Sequence, residues 1–284
     1  MTDFKNKIDF IATIVVENAN PNGDPLNGNH PRTDIDGYGI ISDVAIKRKI
    51  RNRMQDEQHE IFVKSNERID DGFRSLEKRY QNVFTKKNKE DDEDVYKRAC
   101  EKWLDVRSFG QVMTFDKKSI GIRGPVSISM AKSLSPVNAT TMQITRSTNG
   151  QESEKKASDT MGTKNFVDFG VYLVKGSINV FFAEKTGFST ADAAIIKESL
   201  KTLFVNDASS ARPEGSMDVK DVFWFEHPNK TGVLSSSKVF DMITYKELNL
   251  LEAKKYEDYN IHLDEEKRAH AESLGLVVEH SYGL

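Results

Sequence analysis

Asn18-Ala-Asn-Pro-Asn-Gly-Asp-Pro25, followed by Ser42-Asp-Val-Ala-Ile-Lys-Arg-Lys-Ile-Arg-Asn-Arg53, decides how this chain reads. Ahead of it, Ile8 to Val16 is mostly apolar and rich in β-branched residues, which predicts a central strand buried on both faces. Residues 18 to 39 hold three Pro and four Gly, too many for regular structure, so the strand empties into a polar loop. Ser42 or Asp43 then suits the N-cap of a helix running to about Met54. Ile46, Ile50 and Met54 share one face of that helix, while Arg48, Arg51 and Asn52 leave from the other, with Lys47 at the flank. Five of the seven residues from Lys47 to Arg53 are basic and none is acidic. A cationic face of that density calls for a polyanion or some other reason to be there, the plain alternative being a solvated face that keeps the protein soluble.

The rest of the chain bounds the possibilities. Over 284 residues the net charge is −3, with 37% hydrophobic and 30% charged residues. Attraction to a polyanion is local, because screening confines it to about 8–10 Å, so a basic groove on an acidic protein is physically consistent. The single Cys100 excludes an intrachain disulfide and fits a reducing cytoplasm. No apolar run approaches the roughly 20 residues of a membrane span, and the N-terminus lacks a signal-peptide pattern. The expectation is a cytoplasmic protein with no membrane partner.

Past the basic helix, residues 55–104 are strongly charged and predict an inserted helical region, with Lys86 to Asp94 as its solvated tip. Asp105-Val-Arg-Ser-Phe-Gly110 resumes the fold, and Ile120 to Ser129 alternates as a strand. Residues 135–166 are rich in Thr, Ser and Asn and predict a protruding hairpin, Thr140 to Arg146 paired with Thr160 to Asn165. Val167–Val174 and Ser177–Glu184 follow as two strands joined at Lys175-Gly176. A helix spans about Thr190 to Phe204, a strand Val219 to Glu226, and the tail, 245–284, is expected to be helical with Gly275 as a C-cap. Without its insertions the order is strand, helix, strands, helix, strand. That order predicts an α+β fold of the ferredoxin-like, RRM-like kind in a single domain, 1–284, a sheet commonly used to bind RNA.

Phosphate binding is the reading of the basic helix. Lys47, Arg48 and Arg51 carry it, with Ser42 at the helix start and Arg32 in the loop; free amides around Asn18, Asn20 and Asn22 could add donors beside the helix N-terminus. Arg107 and Arg123 sit at element ends where they could reach phosphate, although each is better explained singly as structural. Met142 and Met161 lie in the two arms of a polar protrusion, where an apolar wedge between bases is as reasonable as a core role. Asp24, Asp34, Asp36 and Asp43 superficially suggest a metal loop. The remaining ligands of a calcium site are missing, however, and turn formation accounts for these acids better. The six His show no paired ligand spacing, and no nucleotide-binding or hydrolase motif occurs. No cofactor and no metal are expected.

Together, Asn18 to Pro25, Arg32-Thr-Asp34, Ser42 to Arg51, Asp105 to Gly110 and Gly121-Ile-Arg-Gly-Pro-Val-Ser-Ile-Ser129 resemble the backbone subunit of CRISPR Cascade, nearest to the type I-C (Csd-two) branch of the Cas-seven family. The resemblance runs over essentially the whole chain. It implies an RRM-like palm, a helical finger insertion at 55–104 and a thumb hairpin at 135–166, with several copies polymerised in a helical filament along one crRNA. It further implies other Cascade subunits and a target DNA strand as partners. Ser42, Lys47, Arg48 and Arg51 would be palm contacts to the RNA backbone, the Asn18–Arg32 loop would lie beside them, and the thumb would kink the guide and flip a base. Backbone subunits of this branch do not cut, so no catalytic residue is expected. A metal-dependent ribonuclease on the same fold, using Asp24, Asp34 or Asp36, is the competing reading; a structural oligomer without nucleic acid is the third.

Overall fold

The computed structural model describes residues 2–84, 91–145 and 161–284. Strand β1, Ile8–Ala19, runs through the middle of an eight-stranded sheet. Its alternation explains why both faces are apolar. Ile8, Phe10, Ala12, Ile14 and Val16 join one core cluster, and Ile11 and Val15 join a second on the opposite face. After β1 come β2 (Gly23–Asp24), β3 (His30–Pro31) and β4 (Tyr38–Ile41), then helix α1, Asp43–Asp56. The inserted region holds α2 (Leu76–Val83), α3 (Asp92–Lys102), α4 (Leu104–Phe109), β5 (Gly110–Met113) and β6 (Ile120–Arg123). Next are β7 (Val126–Ile128), β8 (Ala131–Pro136), β9 (Ala139–Thr145) and the 18-residue β10, Met161–Ile178. Helices α5 (Val180–Thr186) and α6 (Thr190–Lys201) precede β11, Met217–Glu226. The chain ends through α7 (Ser236–Phe240), β12 (Ile243–Thr244), β13 (His262–Leu263), α8 (Glu265–Ser273) and β14 (Val277–Tyr282).

The sheet order is β14-β11-β1-β10-β8-β4, and every neighbouring pair is antiparallel. Helices α1 and α6 contribute Ile46, Ile50, Met54, Ile196 and Leu200 to the first core, on one face of the sheet. The other face is covered. Val239, Met242, Ile243, Leu248, Tyr259, Leu263 and Ala271 of the C-terminal segment pack on Ile11, Val171, Leu173, Phe223 and Phe225. That layer corrects two expectations. The tail at 245–284 is not one helix: it holds a short α8 and ends as β14, the edge strand beside β11. Nor is the broad face opposite the helices an open platform for RNA, since the tail occupies it.

Three further boundaries differ from the sequence reading. Lys175-Gly176 is no turn, because β10 passes straight through it. Glycine is needed there for space: a Cβ on Gly176 would come within 2.2 Å of the Phe10 ring and 2.7 Å of the Ser127 carbonyl. The apolar run Val180–Ala183, expected as strand, is helix α5, started by the Asn179 side chain accepting from the Phe182 amide; a run this short does not separate helix from strand by pattern alone. Finally, the insertion does not end at 104. Phe62, Tyr80, Phe84, Val95, Trp103, Met113, Ile120 and Ile122 form a third core, which extends it through the β5–β6 hairpin. Of the charged run at 86–94, residues 85–90 lie outside the described residues. Asp91 caps α3 and Asp92, Glu93 and Asp94 fill its first turn, where acids favour a helix N-terminus.

An ion pair braces this third core. Arg79 Nε and Nη2 donate to the Asp71 carboxylate at 2.5 and 3.0 Å, and Nη1 donates to the Phe62 carbonyl at 2.8 Å. Burial works against the Asp71 charge, but Arg79, the Phe73 amide and Lys64 outweigh it and hold the carboxyl at about 2, below its ordinary 3.8. A depressed carboxylate adds stability that is complete above 3.8 and lost as pH falls through about 2. Trp103 lies 4.6 Å from the Phe62 ring and reports on this core. Its fluorescence in a Trp224→Phe background is expected to show an acid transition over that window which Asp71→Asn removes; an unaltered transition would separate Asp71 from it.

Candidate nucleic-acid interface

Helix α1 forms as its sequence directs. The Ser42 hydroxyl accepts from the Ala45 amide at 3.2 Å as N-cap, and Ile46, Ile50 and Met54 are fully buried. The basic residues on its other sides are not left loose. Lys47 pairs with Asp43 at 3.1 Å one turn earlier. Arg48 Nη1 donates to the Val63 carbonyl at 2.9 Å. Arg51 Nε donates to Asp105 at 2.9 Å while its guanidinium lies 5.0 Å from the centre of the Phe109 ring. Lys49 and Arg53 are buried, Lys49 on Asp207 and Arg53 on Thr202, Asp56 and Glu57. The helix thus buries Lys49 and Arg53 and leaves three cations, Lys47, Arg48 and Arg51, with some exposure, although for the Arg51 side chain it is only 11%.

Those three are held in place, which suits a binding surface, because little side-chain freedom is left to lose on contact. Asp105 does most of the holding. Its carboxylate is fully buried and accepts from the Phe62 amide at 2.8 Å, the Val63 amide at 3.1 Å and Arg51. One side chain therefore ties the inserted region to α1. The residue stands in a motif singled out above, but nothing in the sequence shows that it reaches across to Arg51. Electrostatics favour an anion at this spot. Burial first, and then the neighbouring charge of Arg51, pulls the Arg48 guanidinium below its ordinary value. A phosphate between the two arginines would offset their mutual repulsion.

The loop of residues 18–39 lies against the N-terminus of α1 and the base of the β9–β10 hairpin. Asn22 Oδ1 accepts from the Ser42 amide at 2.9 Å, and Asn165 Nδ2 on β10 donates to the Gly28 carbonyl at 2.9 Å. His30 Nε2 is 3.5 Å from Thr141 Oγ1 on β9. Asn20 is buried and donates to the Asn29 carbonyl at 2.7 Å, whereas Asn18 is exposed in a left-handed conformation, φ 50°. Arg32 sits 3.5 Å from Asp24. Of the amides expected to be free, that of Asn20 donates to the Ala211 carbonyl at 2.9 Å; further along the loop, those of Leu26, Asp36, Tyr38 and Ser42 all bond to side chains of the loop itself. Asn20 and Asn22 therefore shape the loop. Asp24 and Asp34 act as turn formers, and Asp34 also pairs with Lys132 at 2.7 Å. Among the described residues no three His, Cys, Asp or Glu side chains gather in a metal-binding group. Three buried polar atoms without a protein partner, Asn20 Oδ1, Arg32 Nε and Asn165 Oδ1, cluster at this loop and the strand it leans on. Such atoms are costly and concentrate where function holds them.

The hairpin pairs Met161 with Thr145 and Lys164 with Met142. Because side chains alternate, Met142 and Ile144 share one face and Met161 the other, together with Gln143, whose Nε2 donates to the Met161 sulfur at 2.8 Å. Both methionines are at least half exposed, but they cannot enter the same gap. Met161 shares its face with Thr141 and Asn165, turned towards the loop. The polar tip expected between the arms, with Arg146 and Thr160 at the arm ends, lies outside the described residues. Of the remaining candidates, Arg107 is engaged by both oxygens of Asp192 at 2.9 Å, so its fork is already filled. Arg123 is exposed and stacks on Phe182 at 4.2 Å.

The fold is a helix-and-sheet architecture also found in chains of CRISPR RNA-guided surveillance complexes. Two solved structures carry it: a CRISPR RNA-guided surveillance complex chain with a TM-score of 0.54 at 14% identity, covering 97% of this chain and 88% of that one, and a pre-nicking CRISPR RNA-guided surveillance complex chain at 0.51 and 12%, covering 77% and 78%. Residues 6–264 match the family of CRISPR-associated protein Cas7, and the chain belongs to that family. The CRISPR-associated protein Cas7 of Haloferax volcanii is 28% identical over 218 residues, 70% of this chain. The match spans 63% of that relative's length. No helix among the described residues is long and apolar enough to cross a membrane.

Proposed function

We propose that this chain is a non-catalytic crRNA-binding backbone subunit of a type I-C (Csd-two type) Cascade complex, acting in the cytoplasm. Copies line up in a filament along one guide, beside other Cascade subunits, and present it to a target DNA strand. In this reading the large sheet is an RRM-like palm, the third core is the finger and β9–β10 is the thumb. The observation that carries it is the trio Lys47, Arg48 and Arg51, braced by Asp43, Val63 and Asp105 at the end of a polar loop that also touches the hairpin. Such a surface grips ribose-phosphate without reading bases, as a subunit serving many guides requires. Target choice is then left to base pairing. Met161, on the loop-facing side of the thumb, is the better placed of the two methionines to wedge between bases.

Expression together with its operon and array tests the reading. RNA of uniform length carrying array sequence is expected to co-purify. A preparation with a protein-like absorbance ratio and no RNA would overturn it in favour of a structural oligomer. Evenly spaced Mg²⁺-dependent cuts in complementary RNA, abolished by Asp→Ala at 24, 34 or 36, would favour the ribonuclease.

A further inference from the structure

On the tail-covered side of the sheet an open groove of about 710 Å³ runs between β8 and residues 245–249. Its walls come from separate parts of the chain. Tyr38 begins β4, and the adjoining Gly39 amide donates to Ser133 on the groove floor at 2.8 Å. Tyr245 is set opposite by its neighbours: Thr244 pairs with β13, the Lys246 amide donates to the Tyr259 carbonyl at 2.7 Å, and Leu248 is buried in the second core. Two lysines line the same space. Lys132 lies 4.4 Å from the centre of the Tyr38 ring and is paired with Asp34. Lys175 lies 5.7 Å from the Phe240 ring and has no carboxylate partner among the described residues. Met130, 61% exposed, also lines it, and Glu247 is the only acid among the described lining residues.

Aromatic walls alone would suit an apolar peptide, but two ammonium groups would then be desolvated for nothing. Lysines alone would suit any anion, leaving the face of Tyr245 without purpose, since that of Tyr38 is already covered by Lys132. A ligand with both a flat π surface and a negative group satisfies the whole lining, and a nucleotide is that ligand. We propose that this groove takes one unpaired nucleotide of single-stranded nucleic acid, its base against Tyr245 and its phosphate on Lys175. Glu247 limits how much anionic charge the groove accepts. Tyr38 lies four residues before the α1 cap, and its strand partner Pro136 leads into β9, so the groove adjoins the hairpin base. The inference stands on the groove's own chemistry and does not depend on the guide surface at α1.

The test uses the purified full-length protein with whatever RNA it carries, and photoreactive oligothymidylate and oligouridylate that are not complementary to any array sequence. Crosslinks are expected in residues 245–249, and Tyr245→Ala is expected to weaken binding about tenfold while Tyr245→Phe retains it. Lys175→Ala should weaken it too and flatten its salt dependence. A preference for the RNA probe points to a flanking guide nucleotide, and a preference for DNA to a displaced strand; either upholds the proposal. Crosslinks confined to other segments, or unchanged affinity in Tyr245→Ala, would overturn it. Co-purified RNA, measured in the same preparations, is unchanged by the groove variants. Its absence from the wild type would count against guide binding and leave the groove result standing.

Discussion

Asp105→Ala is expected to lower stability by about 3–5 kcal/mol, a fall in Tm of roughly 6–15 °C, because it strips one buried carboxylate from three donors at once. The Phe62 and Val63 amides lose their acceptor, and Arg51, its side chain only 11% exposed, is left without its counter-charge. The damage should not be uniform. Hydrogen exchange should accelerate first at the amides of residues 61–63 and through the third core, since this side chain accepts directly from two of those amides, while β1, β10 and β11 stay protected. Asp105→Asn is the informative companion. It keeps the shape and one acceptor oxygen but turns an amide NH₂ towards groups that are all donors, so it should recover only part of the loss. Guide affinity should fall with stability in both, because Arg51 loses the anchor that aims it. A Tm unchanged in Asp105→Ala would mean that the three contacts are incidental.

What the sequence reveals, and what it hides, follows from the range of the forces involved. The buried face of α1, its Ser42 cap, the first strand, α6 and the Gly275 stop depend on neighbours within a turn or two, so pattern and capping chemistry expose them. The hairpin is legible for the same reason: two Thr-rich arms pair in a simple antiparallel register. By contrast, although Lys47 and Arg53 pair with acids within a turn, the acids that pair with Arg51, Lys49 and Arg107 come from far away. Asp105 lies 54 positions from Arg51, Asp207 lies 158 from Lys49 and Asp192 lies 85 from Arg107. Read alone, α1 looks like an unneutralised ridge; folded, it has two of its five cations buried in ion pairs and the other three steered. Likewise, no local signal announces that residues 239–276 will lie over the sheet, or that Val277–Tyr282 will add a strand to it. Those placements are set by the apolar inner face of β11 and β10, which the tail must cover. Hence the interface was legible as a segment, while its geometry was not.

Replacing Lys47 and Arg48 with Gln is expected to weaken guide binding by at least about tenfold without unfolding the protein, since each loses a charge-assisted contact to phosphate and neither is a buried anchor. Adding Arg51→Gln should deepen the loss to about 100-fold or more, but that variant also unpairs Asp105, so its Tm must be followed alongside. Salt dependence separates the two causes. Each lost contact to single-stranded phosphate should make the slope of log K against log[salt] shallower by about 0.7, so the double variant should lose about 1 to 1.5 and the triple about 2. Misfolding lowers the active fraction and leaves the slope unchanged. The loss should also be the same for guides of unrelated sequence, because phosphate contacts carry no base information. Burial and Arg51 already disfavour the charge on Arg48, so Arg48→Gln alone should cost binding while sparing stability. If the double variant stays folded and keeps both its affinity and its slope, the guide does not lie on α1, and the α1 cations are bracing for the inserted core and nothing more.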